Sequence, residues 1–146
     1  MKSGRGNSPQ RRVQVVKYVP PFETVRRSVE ISTVRGQLRV SLSYDEFVRL
    51  VKSLVAAIEV DEVWYLERND DVAGAIARGA VPSAQEHFAG DGYLEGRLPF
   101  PITVDEQWYL EQNPDVAEGV HAGSVASAQA HFEESGYREG RRPFRL

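Results

Sequence analysis

Residues 60–100 read VDEVWYLERNDDVAGAIARGAVPSAQEHFAGDGYLEGRLPF, and residues 104–144 read VDEQWYLEQNPDVAEGVHAGSVASAQAHFEESGYREGRRPF. The two lines align without a gap at an offset of 44, so that Trp64 falls on Trp108, His87 on His131 and Phe100 on Phe144. Well over half of the aligned positions are identical, which chance does not produce. The stretch is a tandem duplication, and its period governs the architecture.

Each copy parses into three short helices. Asp61 and Asp105 are placed to cap a first helix that carries Trp-Tyr-Leu, and Asn69 and Asn113 to cap a second. In the later copy Pro114 follows at the first helical position, where a missing N–H costs nothing. Asp71 and Asp115 then fall in the first turn, where negative charge complements the helix dipole. Gly79 and Gly123 suit the left-handed residue that ends this helix. Ser83 and Ser127 cap the third, with Glu86 completing a capping box in the first copy only. Gly92 and Gly136 end it, and Pro99 and Pro143 close the unit. Helices this short depend on tertiary packing. The recurring aromatics, Trp64, Tyr65, Phe88, Tyr93 and Phe100 with Trp108, Tyr109, Phe132, Tyr137 and Phe144, are expected to supply a repeated mini-core. The alternative for the same rings is a sugar-stacking surface.

The pattern WYLxxNPDVA, then Gly, then SAxxHF, then GYxEGR resembles a short helical repeat of bacterial proteins, found in hypothetical proteins and alongside glycosyltransferases of surface-polysaccharide pathways. The resemblance covers residues 60–144, with Asp70 standing where the second copy has proline. It implies an accessory module and brings no catalytic residue with it.

Upstream of the repeats the pattern changes. Residues 1–12 are polar and basic without periodicity, which predicts a disordered arm. VQVVKYV (13–19), TVRRSVEISTV (24–34) and QLRVSLS (37–43) read as strands. The last two are expected to form a hairpin about Arg35-Gly36, half-buried because Leu38, Val40 and Leu42 alternate with polar residues. Ser43 and Glu46 form a capping box before Phe47, Leu50, Val51, Leu54, Val55 and Ile58, a single helical stripe onto which the hairpin should pack. The expected fold is therefore α+β. A basic arm (1–12) precedes a small β-unit with one amphipathic helix (13–59), followed by two three-helix repeats (60–103 and 104–146).

Composition narrows the chemistry. The chain has no cysteine, which excludes disulfides and thiolate metal sites. Its longest apolar stretch, Leu54 to Ile58, is far too short to span a bilayer, and the N-terminus lacks an apolar signal core. A cytoplasmic protein without membrane insertion is expected. His87 and His131 recur with Glu95 and Glu139, but His121 has no counterpart and no histidine pair has i, i+4 spacing. A histidine bonded to a neighbouring loop is expected, with no metal and no cofactor. Glu95 with Arg97 and Glu139 with Arg141 read as locks on the end of each repeat rather than anion clamps. No nucleophile elbow or phosphate loop is present, and the acidic residues belong to helix starts, so an enzyme is not expected.

Charge is divided unevenly. Residues 1–43 hold nine basic and two acidic side chains, a balance of +7, whereas residues 44–146 hold nine and nineteen, a balance of −10. The leading expectation is a non-catalytic scaffold that associates with itself or another protein, with Leu38, Val40 and Leu42 as the assembly strand. A rival is nucleic-acid binding. QLRVSLS before a helix looks like the start of a ribbon–helix–helix unit, with Arg35 and Arg39 reading bases and Arg11 and Arg12 on phosphates.

Overall fold

The computed structural model describes residues 18–146. The expected arm, the first expected strand as far as residue 17, and Arg11 and Arg12 lie outside the described residues. The chain is α+β: the described residues form one two-stranded antiparallel hairpin among short helices.

The segment expected to begin the second strand opens instead with helix α1 (Phe22–Arg27). Pro20-Pro21 ends extended structure, and the fixed φ of Pro21, −61°, leads into a helical turn. Glu23 and Arg26, one turn apart, then pair at 2.9 Å. Strand β1 is consequently shorter than expected (Glu30–Val34), and it pairs with β2 (Gln37–Ser41) from Glu30 opposite Ser41 to Val34 opposite Gln37. The turn is the two-residue, left-handed type, with φ of 51° at Arg35 and 76° at Gly36. Glycine accepts this conformation freely, whereas Arg35 holds it at a cost of about 1 kcal/mol.

Helix α2 (Tyr44–Val55) starts at the expected capping box. The Glu46 amide donates to Ser43 Oγ, and the Ser43 amide donates to Glu46 Oε2 at 2.7 Å. These bonds also hold the Glu46 carboxyl below its ordinary value. Val51, Val55 and Ile58 of the stripe pack on the first repeat, and the stripe does not cover the strands of the hairpin. Val55 is buried in a core with Tyr65, Val72, Ala84 and Phe88, flanked by Val51 and Ile58. With that face occupied, every residue of β1 and β2 is exposed, so the expected half-buried hairpin is corrected to an uncovered one.

Both copies fold alike. The first comprises α3 (Glu62–Arg68), α4 (Asp70–Ala77) and α5 (Ala84–His87), the last running into a π-helical turn, Phe88–Gly92. The second comprises α6 (Glu106–Gln112), α7 (Pro114–His121) and α8 (Ala128–His131), followed by the π turn Phe132–Gly136. The expected third helix is thus a single α turn widened into a π turn. Asp61, Asp105, Ser83 and Ser127 cap as expected, but the Glu86 side chain makes no capping-box return to Ser83.

The first unit begins earlier than the repeated sequence implies. Gln85 bonds the Val60 amide and the Ile58 carbonyl, at 3.0 and 2.8 Å, just as Gln129 bonds those of Val104 and Ile102 at 2.8 Å each. Leu98, from the end of the first copy, is buried in the second core with Tyr109, Val116 and Phe132. The end of α2 therefore caps the first core as the end of the first copy caps the second.

Candidate functional site

Two parts of the molecule are candidates: the repeat signature, whose polar groups are held in a fixed pattern, and the uncovered N-terminal unit.

In the repeats, Tyr65 and Tyr109 are completely buried and meet Phe88 and Phe132 edge to face, with ring centres 6.1 Å apart in both copies. Each hydroxyl finds a partner: Tyr65 Oη lies 3.0 Å from His87 Nδ1, and Tyr109 Oη 3.0 Å from His131 Nδ1. Burial pushes the Tyr65 hydroxyl up to about 12 and raises Tyr109 as well, so both stay protonated. The histidines are thus bonded within the core, and His131 Nε2 also lies 3.4 Å from Ser135 Oγ in the turn that follows its helix. Gly92 and Gly136 have helical backbone, and their role is space. A methyl group at either position would overlap the tyrosine hydroxyl.

Asn69 and Asn113 occupy the cap positions but turn their amides elsewhere. Asn69 Nδ2 donates to the Tyr65 carbonyl at 2.7 Å, and its Oδ1 accepts from Arg97 at 2.7 Å. Arg97 also grips both oxygens of Asp71, at 2.9 and 2.8 Å, and donates through Nε to Glu95 at 2.6 Å. The second copy repeats the arrangement with Asn113, Asp115, Glu139 and Arg141. Hydrogen bonds from the guanidinium hold the Asp71 and Asp115 carboxyls at about 2 and raise both arginines. Gly96 and Gly140, at φ of 73° and 74°, turn the chain that delivers each arginine. The expected lock is present, and all its members are engaged with one another.

A cleft of about 400 Å³ lies between the copies, lined by Trp64, Arg68, Arg97, Glu133, Glu134 and Arg138. Arg68 pairs with Glu133 and lies 4.8 Å over the Trp64 ring, which also packs against the second core. Arg138 donates to the Glu134 carbonyl at 2.7 Å. Trp108 is half-buried, Tyr137 is partly buried, and Tyr93, Phe100 and Phe144 are more exposed than a mini-core requires. Among the described residues no group of acidic and histidine side chains could hold a metal ion, and every buried side-chain polar atom has a partner.

The N-terminal unit is the opposite case. In the observed register Ile31 faces Val40 and Thr33 faces Leu38, which puts all four on one side of the hairpin. That side is uncovered: Leu38 is 77% exposed, Val40 56% and Ile31 41%. Leu42, just past β2, is half-buried. Arg39 sits opposite Ser32 on the other side, and Arg35 occupies the turn. On α2, Tyr44, Phe47 and Leu54 are exposed along the shoulder that the first repeat leaves free. The sequence stripe named Phe47 and Leu54 as core, and only the observed packing separates them from Val55. No helix among the described residues is long and apolar enough to cross a membrane.

Comparison with protein-family models, with curated proteins and with solved structures found no match for this chain.

Proposed function

We propose that this protein is a non-catalytic assembly module. The duplicated helices form a fixed body, and the N-terminal unit carries the surface through which the chain associates with itself. The supporting observation is where apolar surface lies. Of sixteen large apolar side chains exposed among the described residues, ten fall between Tyr18 and Leu54. Isolated exposed apolar residues are ordinary, but a concentration on one small unit marks an interaction surface. The repeats support the same reading, since their recurring Asn69, Asp71, Glu95 and Arg97 bond one another and Tyr65 bonds His87.

Light scattering on a sizing column tests the proposal. The expected mass is a multiple of 16.4 kDa that persists in high salt. A mass of 16.4 kDa at every concentration tried would refute self-association.

A second reading draws on the +7 balance of residues 1–43, which suits a phosphate backbone, and on exposed Arg35 and Arg39 as base-reading side chains. It requires an affinity for nucleic acid that weakens steeply with salt and with Arg39→Ala. The proposed setting beside surface-polysaccharide glycosyltransferases rests on the repeat resemblance alone. Sugar stacking on Trp64 would first have to displace Arg68 from the ring.

A further inference from the structure

We infer that the occupant of the uncovered β2 edge is the β2 strand of a second copy. The two strands run antiparallel about a two-fold axis through Val40. This inference rests on the self-association reading and adds its partner strand, register and symmetry.

In a two-residue hairpin the residues flanking the turn, here Val34 and Gln37, exchange both ladder bonds, and bonded and non-bonded pairs alternate from there. Ser32–Arg39 and Glu30–Ser41 are then bonded pairs. The N–H and C=O groups of Leu38 and Val40 point away from β1, toward an edge that no other described strand pairs with. The residues whose backbone is available to a new strand are therefore the same residues whose side chains form the exposed apolar face.

The sequence on this edge reads Leu38-Arg39-Val40-Ser41-Leu42, and its apolar positions are symmetric about Val40. An isologous contact demands this symmetry, because residue i must meet j while j meets i. With the axis at Val40, Val40 meets its equivalent, Leu38 meets Leu42, and Arg39 meets Ser41. Moving the axis to Arg39 sets two guanidinium groups directly opposite in a close, non-bonded pair, which is destabilising. Moving it to Leu38 puts Val40 opposite Gly36 and leaves Leu42 unpaired. Moving it to Ser41 brings Leu38 against Tyr44, the first residue of α2. Only the Val40 axis pairs apolar with apolar throughout and separates the like charges. The outer edge of β1 is the poorer candidate, since it offers Ile31 and Thr33 alone. The resulting four-stranded sheet would join the Ile31, Thr33, Leu38 and Val40 faces of both copies.

The absence of cysteine makes the register directly testable. Directly opposed bonded residues have Cα atoms about 5.5 Å apart, within reach of a disulfide, whereas a displacement of two residues exceeds that reach. Under mild oxidation Val40→Cys is expected to cross-link to itself. Leu38→Cys alone should not, and a mixture of the two variants should give Val40–Val40 dimers in several-fold excess over mixed ones. Tryptophan fluorescence from Trp64 and Trp108 checks that the repeats of each variant are folded. Mixed dimers in excess would overturn the Val40 axis in favour of the Arg39 axis. A dimer by light scattering with no cross-link from Val40→Cys would overturn the strand pairing and leave self-association standing. A monomer at all concentrations would overturn both.

Discussion

The repeats and the N-terminal unit use the same kinds of residue to opposite ends. In the repeats Tyr65, Phe88, Tyr109 and Phe132 are buried, and each polar atom among them is bonded. In the N-terminal unit Phe22, Leu38, Val40 and Phe47 face outward, and hairpin and helix scarcely support each other. A short helix or hairpin is marginal alone. The repeats solve this by duplication, each unit covered by the segment before it. The N-terminal unit covers the first repeat with one face of α2 and leaves its own remainder bare. Substitutions should therefore divide by region into those that affect folding and those that affect association.

The largest effect is expected at the buried rings. Phe88→Ala or Phe132→Ala should lower unfolding free energy by about 3–5 kcal/mol in denaturant titrations. Gly92→Ala follows at about 2–3 kcal/mol, because the added methyl has nowhere to go. Tyr65→Phe should cost about 1 kcal/mol alone. It should also reduce the penalty of Gly92→Ala, and a strictly additive double mutant would show that the hydroxyl is not what the glycine accommodates. Arg97→Ala should cost about 1–2 kcal/mol, since Asn69, Asp71 and Glu95 lose their shared donor while part of the site stays wet.

Acid should act on the same lock. In the unfolded chain the Asp71 and Asp115 carboxyls take up protons near pH 4, and in the folded chain only near pH 2. The unfolded state thus binds more protons in this window. The stability from the lock is complete above pH 4 and lost as pH falls toward 2, and Asp71→Asn with Asp115→Asn should flatten the profile there. At the alkaline end Tyr65 ionises near 10 when unfolded and near 12 when folded, so its contribution is lost as pH rises through that interval. The smallest effect on folding belongs to the hairpin. Leu38→Ala should change unfolding free energy of the monomer by less than about 0.5 kcal/mol while weakening association measured by light scattering. A large loss of monomer stability would mean that the hairpin is covered after all.

Much of this division was legible in the residues. The offset of 44 gave the two copies and their Asp and Ser caps, because identical sequence in identical context folds identically, but it did not separate the buried Tyr65, Phe88, Tyr109 and Phe132 from the exposed Tyr93, Phe100 and Phe144. The Arg97 lock was visible in the recurrence of Glu95-Gly96-Arg97. The turn at Arg35-Gly36 and the Ser43-Glu46 box follow from local chemistry, which needs no tertiary knowledge. The errors share one cause, which is that local pattern does not say which neighbour is present. Alternation in QLRVSLS looked half-buried because a hairpin ordinarily has a partner, and here α2 is already taken. Asn69 looked like a cap until Arg97 and the Tyr65 carbonyl competed for its amide. Val25 reads into one strand with Val29, Ile31 and Thr33, but Pro21 and the Glu23–Arg26 pair accompany a helix at Phe22–Arg27. Gln85 and Gln129 gave no signal beyond their recurrence, although they tie each unit to the segment before it.

The joint between the copies is not built from repeated residues alone. At the positions facing it the copies differ: Leu98 is replaced by Arg142, and Ala89, Gly90 and Leu94 by Glu133, Glu134 and Arg138. The two units are therefore not interchangeable parts, and the chain has a written order. Exchanging them would bring carboxylates against the Val51 and Val55 face of α2. A longer array can be built by inserting a hybrid, with Glu133, Glu134 and Arg138 on its leading face and Leu98 on its trailing face. Such a middle unit would meet both neighbours in their own terms.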